Sequence, residues 1–162
     1  MTIVTEKINL TPELKKEAEK LMLRYPDKTA ALIPVLHLVQ GKFGFVSVEL
    51  EEQVAELMGL SRTRVHGVLT FYTMFNRKPV GKYLVQVCTN ISCTLNGAEE
   101  TLKKVKQKLG IGVGETTTDN KFTLMTVECL GSCGTAPVMQ INDDYYENLT
   151  EQKIDEIFDK LN

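Results

Sequence analysis

The sequence predicts an α/β protein built in two parts, a helical bundle over residues 1–78 followed by an α/β sandwich over residues 79–162. Three observations predict it. Apolar residues recur with helical spacing through the first part, then give way to short β-branched runs alternating with helical ones. Charge divides at the same place: residues 1–78 carry eleven Lys or Arg against nine Asp or Glu, and residues 79–162 carry eight against twelve. All four cysteines lie in the second part. At 162 residues, 43% apolar and 25% charged, the chain can bury one ordinary core or two small ones, and disorder is not expected beyond the first few residues.

Within residues 1–78, Thr11 and Pro12 supply a hydroxyl cap and a proline whose missing N–H costs nothing at a helix start. Leu14, Ala18, Leu21 and Met22 then share one face. Pro26 and Asp27 close that helix. A second spans Ala31 to Gln40 and ends at Gly41, with Pro34 in its first turn or at a kink. Ser47 caps a third, with Leu50, Val54, Leu57 and Met58 inward and Gly59 at its end. Ser61 caps a fourth, carrying Val65, Val68, Leu69 and Tyr72. Four short amphipathic helices make a small bundle.

Beyond Gly81 the pattern changes. Tyr83 to Cys88 reads as a strand, and Gly97 to Leu109 as a helix with Ala98, Leu102, Val105 and Leu109 inward. Glu99–Lys103 and Glu100–Lys104 support it as i,i+4 pairs. Residues 111–120 read as a loop. Strands follow at Phe122 to Glu128, Val138 to Ile141 and Tyr145–Tyr146, the last two joined by a turn at Asn142–Asp144. Thr150 caps a final helix through Leu161. The order β-α-β-β-β-α is that of a two-layer sandwich.

Composition narrows the function classes. A net charge of −2 argues against general nucleic-acid binding. The apolar stretch Ala30 to Val39 is broken by Pro34 and His37 and is too short to span a bilayer. Met1 to Leu10 holds Glu6 and Lys7 and no apolar core, so no secretory leader is expected. The protein is expected in the cytoplasm, reaching a membrane only through a partner.

The cysteines carry the chemistry. Their spacing is Cys88-x4-Cys93, then 35 residues, then Cys129-x3-Cys133. Each pair follows a predicted strand, and a helix between them returns the chain to the same end of the sheet. Two separated thiolate pairs suit a [2Fe–2S] centre, which needs two terminal sulfurs per iron. Gly131 and Gly134 beside the second pair permit φ > 0 and close approach of backbone N–H groups to sulfur. Zinc remains a rival, although structural zinc sites favour tighter C-x2-C pairs. Unliganded buried thiols remain the plain alternative.

Three segments together resemble one family: Cys88-Thr-Asn-Ile-Ser-Cys93, Glu128-Cys-Leu-Gly-Ser-Cys-Gly-Thr-Ala-Pro137, and Gly67-Val-Leu-Thr-Phe-Tyr-Thr-Met-Phe75. The family is that of the E subunits of NADH-quinone oxidoreductases, the thioredoxin-like [2Fe–2S] ferredoxin component of respiratory complex I. Leu36, His37 and Gly44 extend the match into the helical part. The resemblance implies a thioredoxin-like ferredoxin domain over 79–162, with Cys88, Cys93, Cys129 and Cys133 as metal ligands of one [2Fe–2S] cluster. It implies an electron-transfer role without independent substrate chemistry, in a hetero-oligomer at the inner membrane. FMN and NADH would belong to a partner flavoprotein subunit. The chain has no G-x-G-x-x-G fingerprint of its own. Related subunits serve NAD-linked formate dehydrogenases and electron-bifurcating hydrogenases, and these motifs do not separate the hosts.

Other features offer alternatives. Ala55, Gly59, Ser61 and Val65 reproduce helix-turn-helix spacing with Arg62 and Arg64 opening the second helix, which would suit an Fe–S-sensing regulator. The same pattern suits a packed helix pair. His37 and His66 could be ligands but are expected to pack or meet a partner, since four cysteines complete the set. Phe71, Tyr72, Met74 and Phe75 offer a partner-facing patch, half of it core. Asp143 and Asp144 sit in a turn and are not expected to be a catalytic pair. Pro137 stands where thioredoxin-like folds keep a cis proline.

Overall fold

A computed structural model describes residues 8–161. The leader expectation for Met1 to Leu10 falls mostly on residues 1–7, outside the described residues. The chain divides between Pro79 and Val80 into two compact units.

The first unit holds α1 (Pro12–Met22), a 3-10 turn (Lys28–Ala31), α2 (Leu32–Phe43), α3 (Val48–Met58) and α4 (Arg62–Phe71). Three caps act as the sequence predicts, with the side chains of Thr11, Ser47 and Ser61 accepting from the N–H groups of Leu14, Leu50 and Arg64. The core gathers Leu14, Ala18, Leu32, Val35, Leu36, Val39, Leu50, Val54, Met58, Val65 and Leu69. Helix α2 does not stop at Gly41. It runs to Phe43 and ends at Gly44, whose φ of 81° makes the left-handed cap. Gly41 keeps a helical backbone, so a glycine alone is an unsafe stop signal. Pro34 lies in the first turn, where its missing N–H is harmless.

The second unit holds β1 (Tyr83–Cys88), α5 (Ile91–Leu95), α6 (Ala98–Leu109), β2 (Phe122–Val127), β3 (Met139–Ile141), β4 (Asp144–Tyr146) and α7 (Glu151–Leu161). The sheet order is β2-β1-β3-β4, with β1 and β2 parallel and the other neighbours antiparallel. Val85, Val87, Phe122, Leu124, Met139 and Ile141 point to one face. There they pack with Val105 of α6 and Ile154 and Phe158 of α7. Helices α6 and α7 are also tied by Lys104–Asp155 at 2.7 Å and Lys108–Asp159 at 2.7 Å. The unexpected element is α5, five residues long, between Cys88 and Gly97. No helix among the described residues is long and apolar enough to cross a membrane.

Candidate metal centre

The parallel register of β1 and β2 builds the site. Cys88, the last residue of β1, pairs with Val127, the last of β2, so both strands end level. Cys129 follows two residues later. Ligand sites in α/β sheets lie outside such carboxyl ends of parallel strands. The joint is pinned by Cys88 N–H on the Val138 carbonyl at 3.1 Å and Thr89 N–H on the Val127 carbonyl at 3.0 Å.

Two cysteines form an inner half and two an outer half. Cys88 and Cys93 are 2% and 1% exposed, packed with Ala98 and Val138, while Cys129 and Cys133 are exposed. Helix α5 carries Cys93 inward and turns Ile91 and Leu95 to solvent, 72% and 81% exposed. The Cys88 thiol is within hydrogen-bonding reach of the Cys93 and Cys129 thiols, and Cys133 is close enough to Cys93 for their charges to interact. Each of the four thiols is thus linked to at least one of the others. Among the described residues, no three Cys, His, Asp or Glu side chains are grouped around the position of a single metal ion.

Backbone N–H groups line this space. Burial alone would push the Cys88 thiol up, but it ends below its ordinary range. The amides of Asn90 and Leu130 and the neighbouring thiols Cys93 and Cys129 outweigh the burial. Burial and the Cys88 thiol push Cys93 up to about 11, against the Val138 amide. Gly131 N–H donates to Cys129 Sγ at 3.3 Å, with Gly131 at φ 76°. Only one of the two expected glycines behaves this way: Gly134 lies in the short 3-10 turn Cys133–Thr135 and has no positive φ. The peptide before Pro137 is cis. Four thiols, three of them (Cys88, Cys93 and Cys129) met by backbone amide donors, suit a charged thiolate–iron group, which needs soft ligands and N–H partners.

The remaining candidates have other partners. His37 packs on the Phe75 ring at 5.0 Å, and His66 Nδ1 meets Glu51 Oε2 at 3.0 Å. Both belong to the first unit. Arg62, the residue a DNA-reading helix would present, holds Glu51 at 3.2 Å and Glu52 at 2.6 Å, as a packed helix pair requires. Phe75 is buried, Tyr72 half-buried, and Phe71 and Met74 exposed. Asp143 and Asp144 lie exposed at the β3–β4 turn. Sequence reasoning missed the polar side chains that hold the outer cysteine loop: Tyr145, whose hydroxyl donates to the Leu130 carbonyl at 3.1 Å, and Glu147, bound by Ser132 and Thr135. No spacing rule links residues that far apart in the chain.

Comparison with known proteins agrees with this architecture. The chain is 48% identical over 147 residues to the NADH-quinone oxidoreductase E subunit of Rickettsia conorii, covering 89% of this chain and 88% of that protein. It is 42% identical over 148 residues to an NADH-quinone oxidoreductase E subunit of Rhizobium meliloti, covering 91% and 88%. In Dictyostelium discoideum it is 45% identical to mitochondrial NADH dehydrogenase [ubiquinone] flavoprotein 2, covering 94% of this chain and 63% of that one. A crystal structure of an air-oxidized NAD+-reducing [NiFe]-hydrogenase shares the fold, with a TM-score of 0.70 and 18% identity over 81% of this chain and 22% of that longer chain. The family profile of thioredoxin-like [2Fe–2S] ferredoxins matches residues 18–162, and the chain belongs to that family.

Proposed function

We propose that this chain is the iron–sulfur electron-transfer subunit of an NADH dehydrogenase (quinone) complex. On this reading Cys88, Cys93, Cys129 and Cys133 hold one [2Fe–2S] cluster, through which single electrons pass to and from FMN on a partner flavoprotein subunit. The observation that carries it is the level ending of β1 and β2, from which both cysteine loops leave at the same end of the sheet, with amide donors on Cys88 and Cys129. The family and the names of the relatives support it.

The residues of this chain have definable tasks. Cys88 and Cys93 form the dry half, shielded by Ala98 and Val138. Cys129 and Cys133 form the half open to a partner. The amides of Asn90, Leu130, Gly131 and Val138 offset thiolate charge. The excess of acids in residues 79–162 works the other way and disfavours addition of an electron. Residues 1–78 form the helical region and 79–162 the cluster domain. NADH and FMN bind the partner, and the chain reaches the inner membrane only through companion subunits.

The test is purification of the complex from native cells, followed by NADH reduction under EPR. A flavoprotein companion is expected, with the signal from this chain appearing only when that companion is present. Companions of a formate dehydrogenase or hydrogenase would move the same role to another host. Reduction of the isolated chain by NADH, without flavin, would overturn the reading.

A further inference from the structure

The outer cysteine loop is held by a segment that follows it in the chain. Tyr145 OH donates to the Leu130 carbonyl at 3.1 Å, Asn148 N–H to the Thr135 carbonyl at 2.7 Å, and Leu149 N–H to the Pro137 carbonyl at 3.1 Å. Between these lies Glu147. Its Oε1 accepts from Thr135 Oγ1 at 2.6 Å and from Ser132 Oγ, and the two hydroxyls are 2.7 Å apart. Two hydroxyl protons thus serve a triangle of three oxygens, which a carboxylate completes as the acceptor. Those hydrogen bonds hold the Glu147 carboxyl below its ordinary range, Ser132 contributing most and Thr135 next.

An exposed carboxylate ordinarily stays hydrated. This one bridges the residue just before Cys133 and the residue two after it. It spans the 3-10 turn Cys133–Thr135, which carries the outer thiol. Its negative charge is hydrogen-bonded to the residue next to Cys133, on the half of the site that lacks burial to shield it.

We propose that Glu147 is a positioning residue for the cluster site: it braces the Cys129–Cys133 loop through the Ser132 and Thr135 hydroxyls and makes electron addition there harder. The proposal rests on the four-cysteine [2Fe–2S] reading. Its test separates brace from charge. Glu147→Gln keeps an oxygen acceptor and removes the charge. Glu147→Ala removes both. Ser132→Ala with Thr135→Ala removes the donors and keeps the charge.

The full chain, reconstituted anaerobically, is followed by redox titration and by cluster release to an iron chelator. Amide hydrogen exchange of residues 130–136 is measured on the cluster-free protein. Glu147→Gln is expected to move the midpoint potential upward and leave release within about twofold of the parent. Glu147→Ala and the double hydroxyl variant are expected to release the cluster about tenfold faster, the lower end of the affinity loss on removing a ligand-supporting partner. Their loop amides should exchange faster. Parent-like potential in Glu147→Gln, or parent-like release and exchange in Glu147→Ala, would overturn the proposal and leave the ligand set standing. A parent chain that takes up no iron and sulfide would overturn both.

Discussion

Cys88 and Val127 are partners across the parallel β1–β2 ladder, and each is the last residue of its strand. That pairing turns a spacing of 35 residues between Cys93 and Cys129 into a local arrangement. The crossover through α6 returns the chain to the starting end of the sheet, and the two strands then run level to the site. The halves differ in burial because β1 ends beneath α5, whereas the loop after β2 runs over the surface.

This asymmetry should show in thiol chemistry. In the cluster-free chain, Cys129 and Cys133 are expected to react with iodoacetamide well before Cys88 and Cys93. Access favours the outer pair; Cys93, pushed up to about 11, carries little thiolate at neutral pH, and Cys88, although its thiol lies below the ordinary range, is closed off by burial. Mass spectrometry of a timed quench reads the order. Cys93 alkylated as fast as Cys133 would contradict the inner position of α5.

Gly81 should tolerate no side chain. A Cβ there would stand 2.9 Å from the backbone carbon and oxygen of Lys121 and from the Phe122 carbonyl carbon. The neighbouring backbone cannot swing aside as a flexible side chain would. Gly81 N–H also donates to the buried Thr123 Oγ1 at 2.6 Å. Gly81→Ala is expected to cost about 2 kcal/mol or more in urea unfolding. An unchanged midpoint would contradict this packing.

In the first unit, Glu51 is 1% exposed and answered by Arg62 and His66. Arg62→Ala leaves a buried carboxylate with one partner fewer. Because Arg62 is itself half exposed, the cost is expected at about 1–2 kcal/mol, below the usual figure for breaking a fully buried pair. Glu51→Gln combined with Arg62→Ala should recover part of the loss. If the double variant is as unstable as the sum of its parts, the two do not interact.

Acid should loosen the α6–α7 contact at Asp155. The Lys104 ammonium holds its carboxyl below the ordinary value of 3.8. The folded state therefore binds that proton less readily than the unfolded chain. The contribution is present above pH 3.8 and is lost as pH falls through the lower folded value. Asp155→Asn should flatten the stability profile in that window and little elsewhere, and salt should shrink the difference. A variant whose acid limb is as steep as the parent's would contradict the assignment.

Much of this was legible in the residues. Thr11–Pro12, Ser47 and Ser61 mark helix starts through side-chain caps, and Gly59 marks an end because its left-handed φ of 61° suits no other residue as well. The resemblance carried by the cysteine motifs holds across residues 18–162. What stayed hidden has physical causes. Five residues, Ile91–Leu95, make less than two helical turns, too few for an apolar repeat to show, and α5 exists through its packing rather than its propensity. The Tyr145–Leu130 and Glu147–Ser132 contacts join loops by tertiary geometry, which leaves no local pattern. Phe71 and Phe75 are four residues apart and would share a face of a continuing helix, yet one is exposed and one buried, because α4 ends at Phe71 and Phe75 lies beyond a turn.

On the proposed reading four sulfurs enclose one diiron core. The most direct test is the iron, zinc and acid-labile sulfide content of the anaerobically purified full chain. Roughly two irons and two sulfides per chain are expected, falling sharply in Cys129→Ser. One zinc or one iron per chain without sulfide, or full loading retained in Cys129→Ser, would contradict the diiron centre.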